Sequence, residues 1–238
     1  MKIVNFIKLA RNRFNSEEDY VKFQRFQASW IISGSNKKIN PTDKVILDLG
    51  SGIGGYSLEL SKRVKKVFVL DLNIPEDFPR KENIVPIKSD ALKIPFKDNS
   101  IDFIFCTSPI EHISDQNKLI SKMYRVLKYD QFCYPSFPPF YSPVGEHQFK
   151  PFHLLGEKNA IIFSRLFKGV EAKDYATSFG NWGLFPTTTS KIKELVKRAN
   201  FRIIDIKTRF SPVNVAKIPI LGEFLRWHVE FLLRKRGD

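Results

Sequence analysis

The chain has 238 residues, of which 42% are hydrophobic and 27% are charged, and its formal net charge is +14. This length and composition are typical of one well-buried globular domain. No apolar run is long enough to cross a membrane, and the basic start has no signal-peptide pattern, so a cytoplasmic protein is expected. The positive charge favours a polyanionic partner, either nucleic acid or an anionic membrane surface.

The two cysteines, Cys106 and Cys133, lie in apolar, strand-like runs. We expect both to be buried, reduced thiols of a cytosolic protein. The four histidines are scattered, and no spacing of cysteine and histidine is typical of a zinc site. The sequence therefore predicts no metal centre.

Residues 1–40 are predicted to form a helical arm. The stretch 1–15 is basic and aromatic, and Ser16 with the two glutamates after it is typical of a helix start. Large apolar side chains then recur at helical spacing from Tyr20 to Ile31. We expect this helix to lie over the sheet or over a bound ligand.

The stretch 44–60, KVILDLGSGIGGYSLEL, predicts a buried strand, a glycine turn and a helix that runs from Tyr56 to Lys66. Glycines let a ligand approach the backbone closely, and a helix N-terminus offers free N–H groups. Residues 50–55 fit the dinucleotide pattern GxGxxG. Residues 48–54 also fit DxGxGxG, the first motif of class I S-adenosylmethionine (SAM) methyltransferases. The turn alone leaves both ligands open.

Three further strands are predicted over residues 66–71, 83–91 and 101–107. The first two end at Asp71 and Asp90, and the last ends at Thr107. Helical or turn segments separate these strands, which predicts a parallel, doubly wound sheet with its ligand at the carboxyl ends of the strands. An acid at the position of Asp71 can accept hydrogen bonds from both ribose hydroxyls of an adenosine.

The order of DLGSGIGG, VLDLN, SDALKIPFKDNSIDFIFC and EHI resembles that of class I SAM-dependent methyltransferases, and within them the type 11 group. The resemblance covers residues 44–128 motif by motif. It implies a Rossmann-like doubly wound α/β fold, a mostly parallel seven-stranded sheet with an antiparallel last strand, and SAM as the cofactor. The cofactor-binding residues that it implies are Asp48, Gly50, Ser51, Gly52, Gly54, Asp71, Leu72, Asp90, Ala91, Thr107 and His112.

The chain departs from the family around the fifth strand. The family usually has Pro-Gly-Gly at this point, where this chain has Tyr129-Asp130-Gln131. We expect the fifth strand at Phe132–Tyr134, ended by Pro135. The following Pro-Pro-Phe does not stand after the fourth strand, where amino-methylating enzymes that act on bases carry NPPY, which argues against an adenine methyltransferase. The last strand is expected at 228–234.

Residues 135–187 are predicted to be a substrate-side insertion, rich in aromatic side chains, prolines and titratable groups. If the methyl acceptor is a hydroxyl, a histidine is the natural general base near neutral pH. His147, which neighbours Glu146, is the first candidate, and His153 is the second. The segment 218–233 combines apolar and basic residues, and we consider both a membrane-surface contact and packing against the sheet edge.

The sequence thus predicts a single methyltransferase domain over residues 1–238. The predicted activity is O-methylation of a small-molecule, glycan or lipid-linked acceptor, in the cytoplasm or at a membrane surface. An RNA methyltransferase is the first alternative, because of the charge. A non-catalytic SAM-binding protein is the second alternative. The oligomeric state does not follow from the sequence.

Overall fold

The computed structural model describes residues 2–35, 42–142, 148–178, 183–209, 221–224 and 226–237. The helices are α1 (Lys2–Asn12), α2 (Glu17–Ser35), α3 (Gly55–Leu60), α4 (Gln116–Val126), α5 (Glu157–Lys168), α6 (Thr189–Arg198) and α7 (Leu221–Phe224). The strands are β1 (Val45–Leu49), β2 (Lys66–Asp71), β3 (Ile84–Lys88), β4 (Ile101–Thr107), β5 (Leu127–Phe137), β6 (Phe201–Thr208) and β7 (Val229–Lys235).

The seven strands form one sheet in the order β3-β2-β1-β4-β5-β7-β6. β1 pairs in parallel with β2 and β4, and β2 pairs in parallel with β3. β6 and β7 are antiparallel at the end of the sheet. The strand order reverses at β1, and ligands of open α/β sheets bind at the carboxyl ends of the strands at such a point. The predicted doubly wound fold is confirmed.

The chain divides into two compact units. The first contains Met1–Cys106, Arg125–Cys133 and Gly237, and the second contains Thr107–Tyr124 and Tyr134–Arg236. The first has its core on β1, β2 and β4, whose fully buried residues include Leu47, Val67 and Ile104. In the second, an aromatic cluster packs around α5 and consists of Phe140, Phe149, Ala160, Ile161, Tyr175 and Leu184. The prediction of a single domain stays a prediction.

The N-terminal arm consists of two helices. Ser16 caps α2 as predicted, because its hydroxyl accepts a hydrogen bond of 3.1 Å from the Asp19 N–H. The basic stretch before it is α1, which packs on α2 through Phe6, whose ring lies 6.0 Å from Phe23 and 6.4 Å from Phe26. The arm lies over the first unit, where α2 contacts α3 through hydrogen bonds to Gly55 and Tyr56.

The helix after the glycine turn is shorter than predicted. We expected it to reach Lys66, but α3 ends at Leu60, and Leu58 is only half-buried. The amide of Asn83 donates hydrogen bonds to the carbonyls of Ser61 (2.8 Å) and Val64 (3.2 Å). These bonds hold residues 61–65 as a turn, which a local periodicity pattern does not show.

The fifth strand is longer than predicted. It runs from Leu127 to Phe137 and passes through Pro135, which we had expected to end it. Proline removes only one ladder donor, and the carbonyl of Ser136 still accepts a hydrogen bond of 2.8 Å from the Ser108 N–H. Asp130 has a φ of 60°, so it takes the left-handed conformation at the point where the family has a glycine.

The last strand lies close to its predicted position, and the helix α6 before β6 has a side-chain cap. Thr188 caps α6 by accepting a hydrogen bond of 3.1 Å from the Lys191 N–H. β7 starts one residue after the expected position, directly after the buried His228. Within the described ranges no helix is both long and apolar enough to cross a membrane. The described residues also contain no cluster of potential metal ligands, and both cysteines are buried.

Candidate functional site

The glycine turn between β1 and α3 has a backbone that only glycine adopts readily. Gly50, Gly52 and Gly54 have φ values of 73°, 56° and 84°, in the left-handed region. A Cβ on Gly54 would lie 2.6 Å from the Phe78 ring, so this position also needs the space. The region beside Gly52 is open, with nothing within 4 Å of where a Cβ would be. The turn therefore offers bare backbone to a ligand at Gly52.

Asp71, at the end of β2, has a carboxylate that is fixed by backbone amides. Its Oδ2 accepts a hydrogen bond of 2.9 Å from the Gly52 N–H, and its Oδ1 accepts one of 3.1 Å from the Asn73 N–H. Each oxygen of an ionised carboxylate keeps a second lone pair after one such bond. The structure thus brings together the glycine turn and the predicted ribose-binding acid, with acceptor capacity left for two hydroxyls.

Asp48, at the end of β1, has a buried side chain with 1% exposure. The hydroxyl of Ser57 in α3 donates a hydrogen bond to its Oδ2. Burial is the main reason that the pKa of Asp48 rises to about 7; the bond from Ser57 opposes the rise, and the negative charge of Asp71 adds to it. With this burial, Asp48 would act on a cofactor through the turn that it supports.

Two predicted cofactor residues have buried hydroxyl groups that make no hydrogen bond among the described residues. They are Ser51 in the glycine turn of the first unit and Thr107 at the end of β4 in the second. Buried polar atoms are nearly always hydrogen bonded in folded proteins. A polar atom of a bound ligand would satisfy each of these hydroxyls, so each residue taken by itself is compatible with its predicted role.

The other predicted nucleoside-binding residues of the first unit follow β2 and β3. Leu72 is 47% exposed, which is unusual for a leucine next to a buried strand and suits an apolar contact with a ring. Asp90 accepts a hydrogen bond of 2.8 Å from the Leu92 N–H through its Oδ1 and caps a short 3-10 turn at Ala91–Lys93. β3 ends at Lys88, before Asp90, rather than at it.

Gln24 of α2 is a residue of this region that sequence reasoning missed. Its Oε1 accepts a hydrogen bond of 3.0 Å from the N–H of Gly55, the first residue of α3. A Cβ on Gly55 would lie 2.6 Å from Gln24, so the contact also depends on glycine. The N–H that we expected to be free for a ligand is therefore bound by the N-terminal arm. No local pattern reveals a contact between residues 31 apart in the chain.

In the second unit, the segment after β4 is held by hydrogen bonds to residues 183–187. The Nδ1 of His112 lies 2.8 Å from the carbonyl oxygen of Gly183. The Phe185 N–H donates a hydrogen bond of 2.7 Å to the Glu111 carbonyl. Gln116 donates through Nε2 to the Thr187 hydroxyl, at 2.6 Å.

The hydrogen bond to Gly183 decides the tautomer of His112. A carbonyl oxygen can only accept, so Nδ1 carries the proton and Nε2 keeps a lone pair. Burial lowers the pKa of His112, and the hydrogen bond to Gly183 only partly opposes that effect. His112 is therefore neutral at pH 7, with one nitrogen able to accept a proton.

The two predicted general bases have different outcomes. His147 lies outside the described residues. His153 is buried, and its ring packs edge-on against Phe140 at 5.5 Å. Burial, followed by the positive charge of Lys150, lowers the pKa of His153 to about 4. His153 is neutral at pH 7 but a weak base, and its role stays a prediction.

The fold and the site together define a class of protein. The strand order, the glycine turn and the Asp71 carboxylate at the end of β2 are those of a doubly wound protein that binds a nucleoside cofactor.

Residues 47–134 match the family model of a methyltransferase domain. Over 98 residues the chain is 33% identical to phosphoethanolamine N-methyltransferase 2 of Caenorhabditis elegans, a match that covers 36% of this chain and 22% of that enzyme. Over 180 residues it is 28% identical to the ubiquinone/menaquinone biosynthesis C-methyltransferase UbiE of Rickettsia bellii, covering 68% and 70% of the two chains.

Among solved structures, the chain superposes on a SAM-dependent methyltransferase from Clostridium acetobutylicum with a TM-score of 0.62 and 14% identity, over 89% of this chain and 91% of that one. This likeness concerns the fold. Residues 47–134 are a methyltransferase domain of the type 11 kind, and this family together with the doubly wound fold implies S-adenosylmethionine as the cofactor. The chain spans less than a quarter of the nematode enzyme's length.

Proposed function

We propose that this chain transfers the methyl group of SAM to a hydroxyl oxygen of a small-molecule, glycan or lipid-linked acceptor. The observation that carries the proposal is the Asp71 carboxylate, which the Gly52 and Asn73 amides hold beside the open backbone of the glycine turn. This arrangement is intact, which argues against a non-catalytic protein with a degenerate cofactor site.

SAM supplies a methyl group activated by a sulfonium cation, so the protein has to orient an acceptor and accept its proton. In the first unit, Asp71 would receive the ribose hydroxyls, and Gly52 leaves the space for the ligand. In the second unit, His112 presents a neutral Nε2, because its Nδ1–H is bound to Gly183. We therefore add His112 to His147 and His153 as a candidate for the group that accepts the proton.

The environment of His112 suits this role better than that of His153. His112 is only partly buried, whereas His153 is 2% exposed and packs into the aromatic cluster next to Phe140. A base must reach the proton that it removes, at hydrogen-bond distance. The side chain of His153 would need the aromatic cluster to open first.

The class of acceptor is supported by the relatives and by the sequence between β5 and α5. The nematode relative is a phosphoethanolamine N-methyltransferase, and the rickettsial relative is a C-methyltransferase of ubiquinone/menaquinone biosynthesis. Neither name is that of an enzyme acting on nucleic acid. The passage PPFYSPVGEHQFKPFH is similar to those of methyltransferases of glycan and lipid-linked saccharide assembly. The alternative of an RNA acceptor has its support in the net charge of +14.

Transfer of a radiolabelled methyl group from SAM into cell-extract fractions tests the proposal. We expect label in the lipid or small-molecule fraction, and none with the Asp71→Ala variant. The matched control is Glu194→Ala, which removes an exposed carboxylate of α6 and should leave incorporation unchanged. Label in RNA would replace the proposal by its alternative, and absence of label together with intact SAM binding would support the non-catalytic protein.

A further inference from the structure

The outward face of α1 carries a stripe of exposed apolar and basic side chains. Val4, Ile7 and Phe14 are 69%, 51% and 73% exposed. Lys8 and Arg11 are exposed beside Val4 and Ile7, and the spacing of three to four residues places these four on one side of α1, whereas Phe14 lies in the turn that follows the helix. A shallow groove of about 400 Å³ is lined by Val4, Ile7, Lys8, Arg11 and Asn12.

The opposite face of α1 is the one that packs. Phe6 contacts Phe23 and Phe26 of α2, and Leu9 and Ala10 are half-buried. The attachment of α1 to α2 therefore does not use the outward side chains. The two large apolar side chains Val4 and Ile7 on the solvent side of a short helix are not explained by the folding of the described chain. Phe14, just after the helix, is also exposed, although its ring stacks on that of Tyr20 at 6.4 Å.

The charge of this segment has one sign. Residues 2–14 contain Lys2, Lys8, Arg11 and Arg13 and no acidic residue, and the first acid of the chain is Glu17. An amphipathic helix with basic residues beside exposed apolar ones is typical of segments that lie in the interface of an anionic bilayer. The apolar groups enter the lipid, and the basic groups meet the headgroups.

We propose that the outward face of α1 docks on the surface of an anionic lipid bilayer. A lipid bilayer fits this face better than RNA, because Val4 and Ile7 gain nothing from a phosphate backbone, whereas they lose water contact in lipid. The surface is also distinct from the segment 218–233, for which the sequence left open membrane contact or packing against the sheet edge. In the described part of that segment Arg226, His228 and Phe231 are buried, and that earlier prediction remains untested.

A second exposed apolar surface lies on α5, but its charges fit a bilayer less well. Ile162, Leu166 and Phe167 are exposed there. Two of its basic groups are bound to the protein, since Arg165 donates to the Ala172 carbonyl and Lys168 to the carbonyls of Gln148 and Lys150. This surface supplies a control for exposed apolar area away from α1.

Docking through α1 would bring the cofactor turn to the membrane. α1 packs on α2, and Gln24 of α2 holds Gly55 at the start of α3, all within the first unit. An acceptor carried by a lipid would then be presented to a cofactor site that is already held at the bilayer. The docking itself does not depend on methyl transfer and goes beyond the proposed function.

Co-sedimentation of the full chain with vesicles tests the proposal. We expect binding to vesicles of phosphatidylcholine mixed with phosphatidylglycerol and much weaker binding to pure phosphatidylcholine. Lys8→Glu/Arg11→Glu should reduce the affinity for anionic vesicles by about twentyfold or more. Each basic residue near an anionic surface contributes roughly a factor of five, and the two factors multiply. Val4→Ser/Ile7→Ser/Phe14→Ser should abolish binding, because the charges that remain have no apolar anchor.

Matched controls separate this face from the general charge and apolar surface of the chain. Arg80→Glu/Lys81→Glu makes the same change in net charge at two other exposed residues of the first unit, and Ile162→Ser/Leu166→Ser removes apolar area from α5. Both should bind vesicles as the unchanged protein does, and all variants should retain SAM binding as evidence of folding. The proposal is overturned if anionic vesicles do not bind, if the controls lose as much affinity as the α1 variants, or if the α1 charge variant loses affinity for RNA and none for vesicles.

Discussion

Gln24 Oε1 accepts a hydrogen bond of 3.0 Å from the N–H of Gly55, where the glycine turn enters α3. This bond ties the N-terminal arm to the cofactor turn across 31 residues of sequence. Both residues are buried, so the arm is part of the structure that shapes the turn.

Gln24→Ala should therefore lower both stability and cofactor affinity. A buried N–H left without an acceptor costs about 1–3 kcal/mol, and the turn is free to move once Gln24 is gone. Urea unfolding should show a loss in that range, and calorimetric titration should show weaker SAM binding. Lys22→Ala, at an exposed position of the same helix, is the control. An unchanged SAM affinity would mean that the arm holds the fold without shaping the cofactor site.

Asp71→Ala should weaken SAM binding by about 100-fold, the loss expected for two hydrogen bonds to a charged acceptor at roughly 1.5 kcal/mol each. Asp71→Asn should lose less, because its remaining oxygen still accepts one bond. Titration calorimetry measures both, with Glu82→Ala as a control at an exposed acid of the same unit. Equal affinities for all four proteins would remove Asp71 from the cofactor site.

Asp48 should make stability depend on pH. The pKa of its buried carboxyl is raised to about 7, so the folded chain holds a proton that the unfolded chain releases near pH 4. The stability that comes from this proton is present below about pH 4 and is lost as pH rises towards 7, by about 1.4 kcal/mol per pH unit at most. Asp48→Asn cannot ionise and removes this dependence. Urea unfolding from pH 4 to 8 should thus show that the free energy of unfolding of Asp48→Asn increases relative to that of the unchanged protein as pH rises. A difference that stays constant with pH would contradict this expectation.

The parts of the fold that the sequence predicted are those encoded by local patterns. The glycine turn and β1, β2 and β4 appear where apolar runs and glycines place them. α3 ends early because Asn83 binds the carbonyls of Ser61 and Val64, about 20 residues away. β5 continues past Pro135 because the carbonyl of Ser136 still accepts a hydrogen bond from the Ser108 N–H, directly after β4. Both errors arise from contacts that join distant parts of the chain.

The candidate site divides in the same way. The position of Asp71 at the end of a buried strand can be predicted from the sequence, whereas its hydrogen bond from the Gly52 N–H is a contact that only the structure shows. The tautomer of His112 cannot be predicted from the sequence, because the carbonyl of Gly183, 71 residues further along the chain, decides it. Residue type and spacing identify which groups are available, whereas the protonation and direction of each group depend on its tertiary partners.

His112→Ala should separate two roles for this residue. If Nε2 accepts the acceptor's proton, the rate of methyl incorporation at saturating SAM should fall by about 100-fold or more, with SAM affinity within a few-fold. If His112 instead contacts the cofactor, as the sequence predicts, SAM affinity should fall and the rate at saturation should recover.

The pH profile gives a second measurement on His112. Burial lowers its pKa, and a general base acts in its neutral form, so the rate should decline only in acid, below the usual histidine range. His153→Gln is the comparison: its profile should match the unchanged protein. If the decline of the rate in acid disappeared in His153→Gln and persisted in His112→Ala, His153 and not His112 would be the general base.

Asp130→Gly should stabilise the protein. Asp130 has a φ of 60°, a conformation that costs a residue with a Cβ about 1 kcal/mol and costs glycine almost nothing. Gln131→Gly, one position further, is the matched control: Gln131 is not among the positive-φ residues, and its side chain accepts a hydrogen bond of 3.3 Å from Lys44. Urea unfolding should show a gain of up to about 1 kcal/mol for Asp130→Gly and a loss for Gln131→Gly. A loss in both would mean that the side-chain contacts of Asp130 within β5 outweigh its backbone strain.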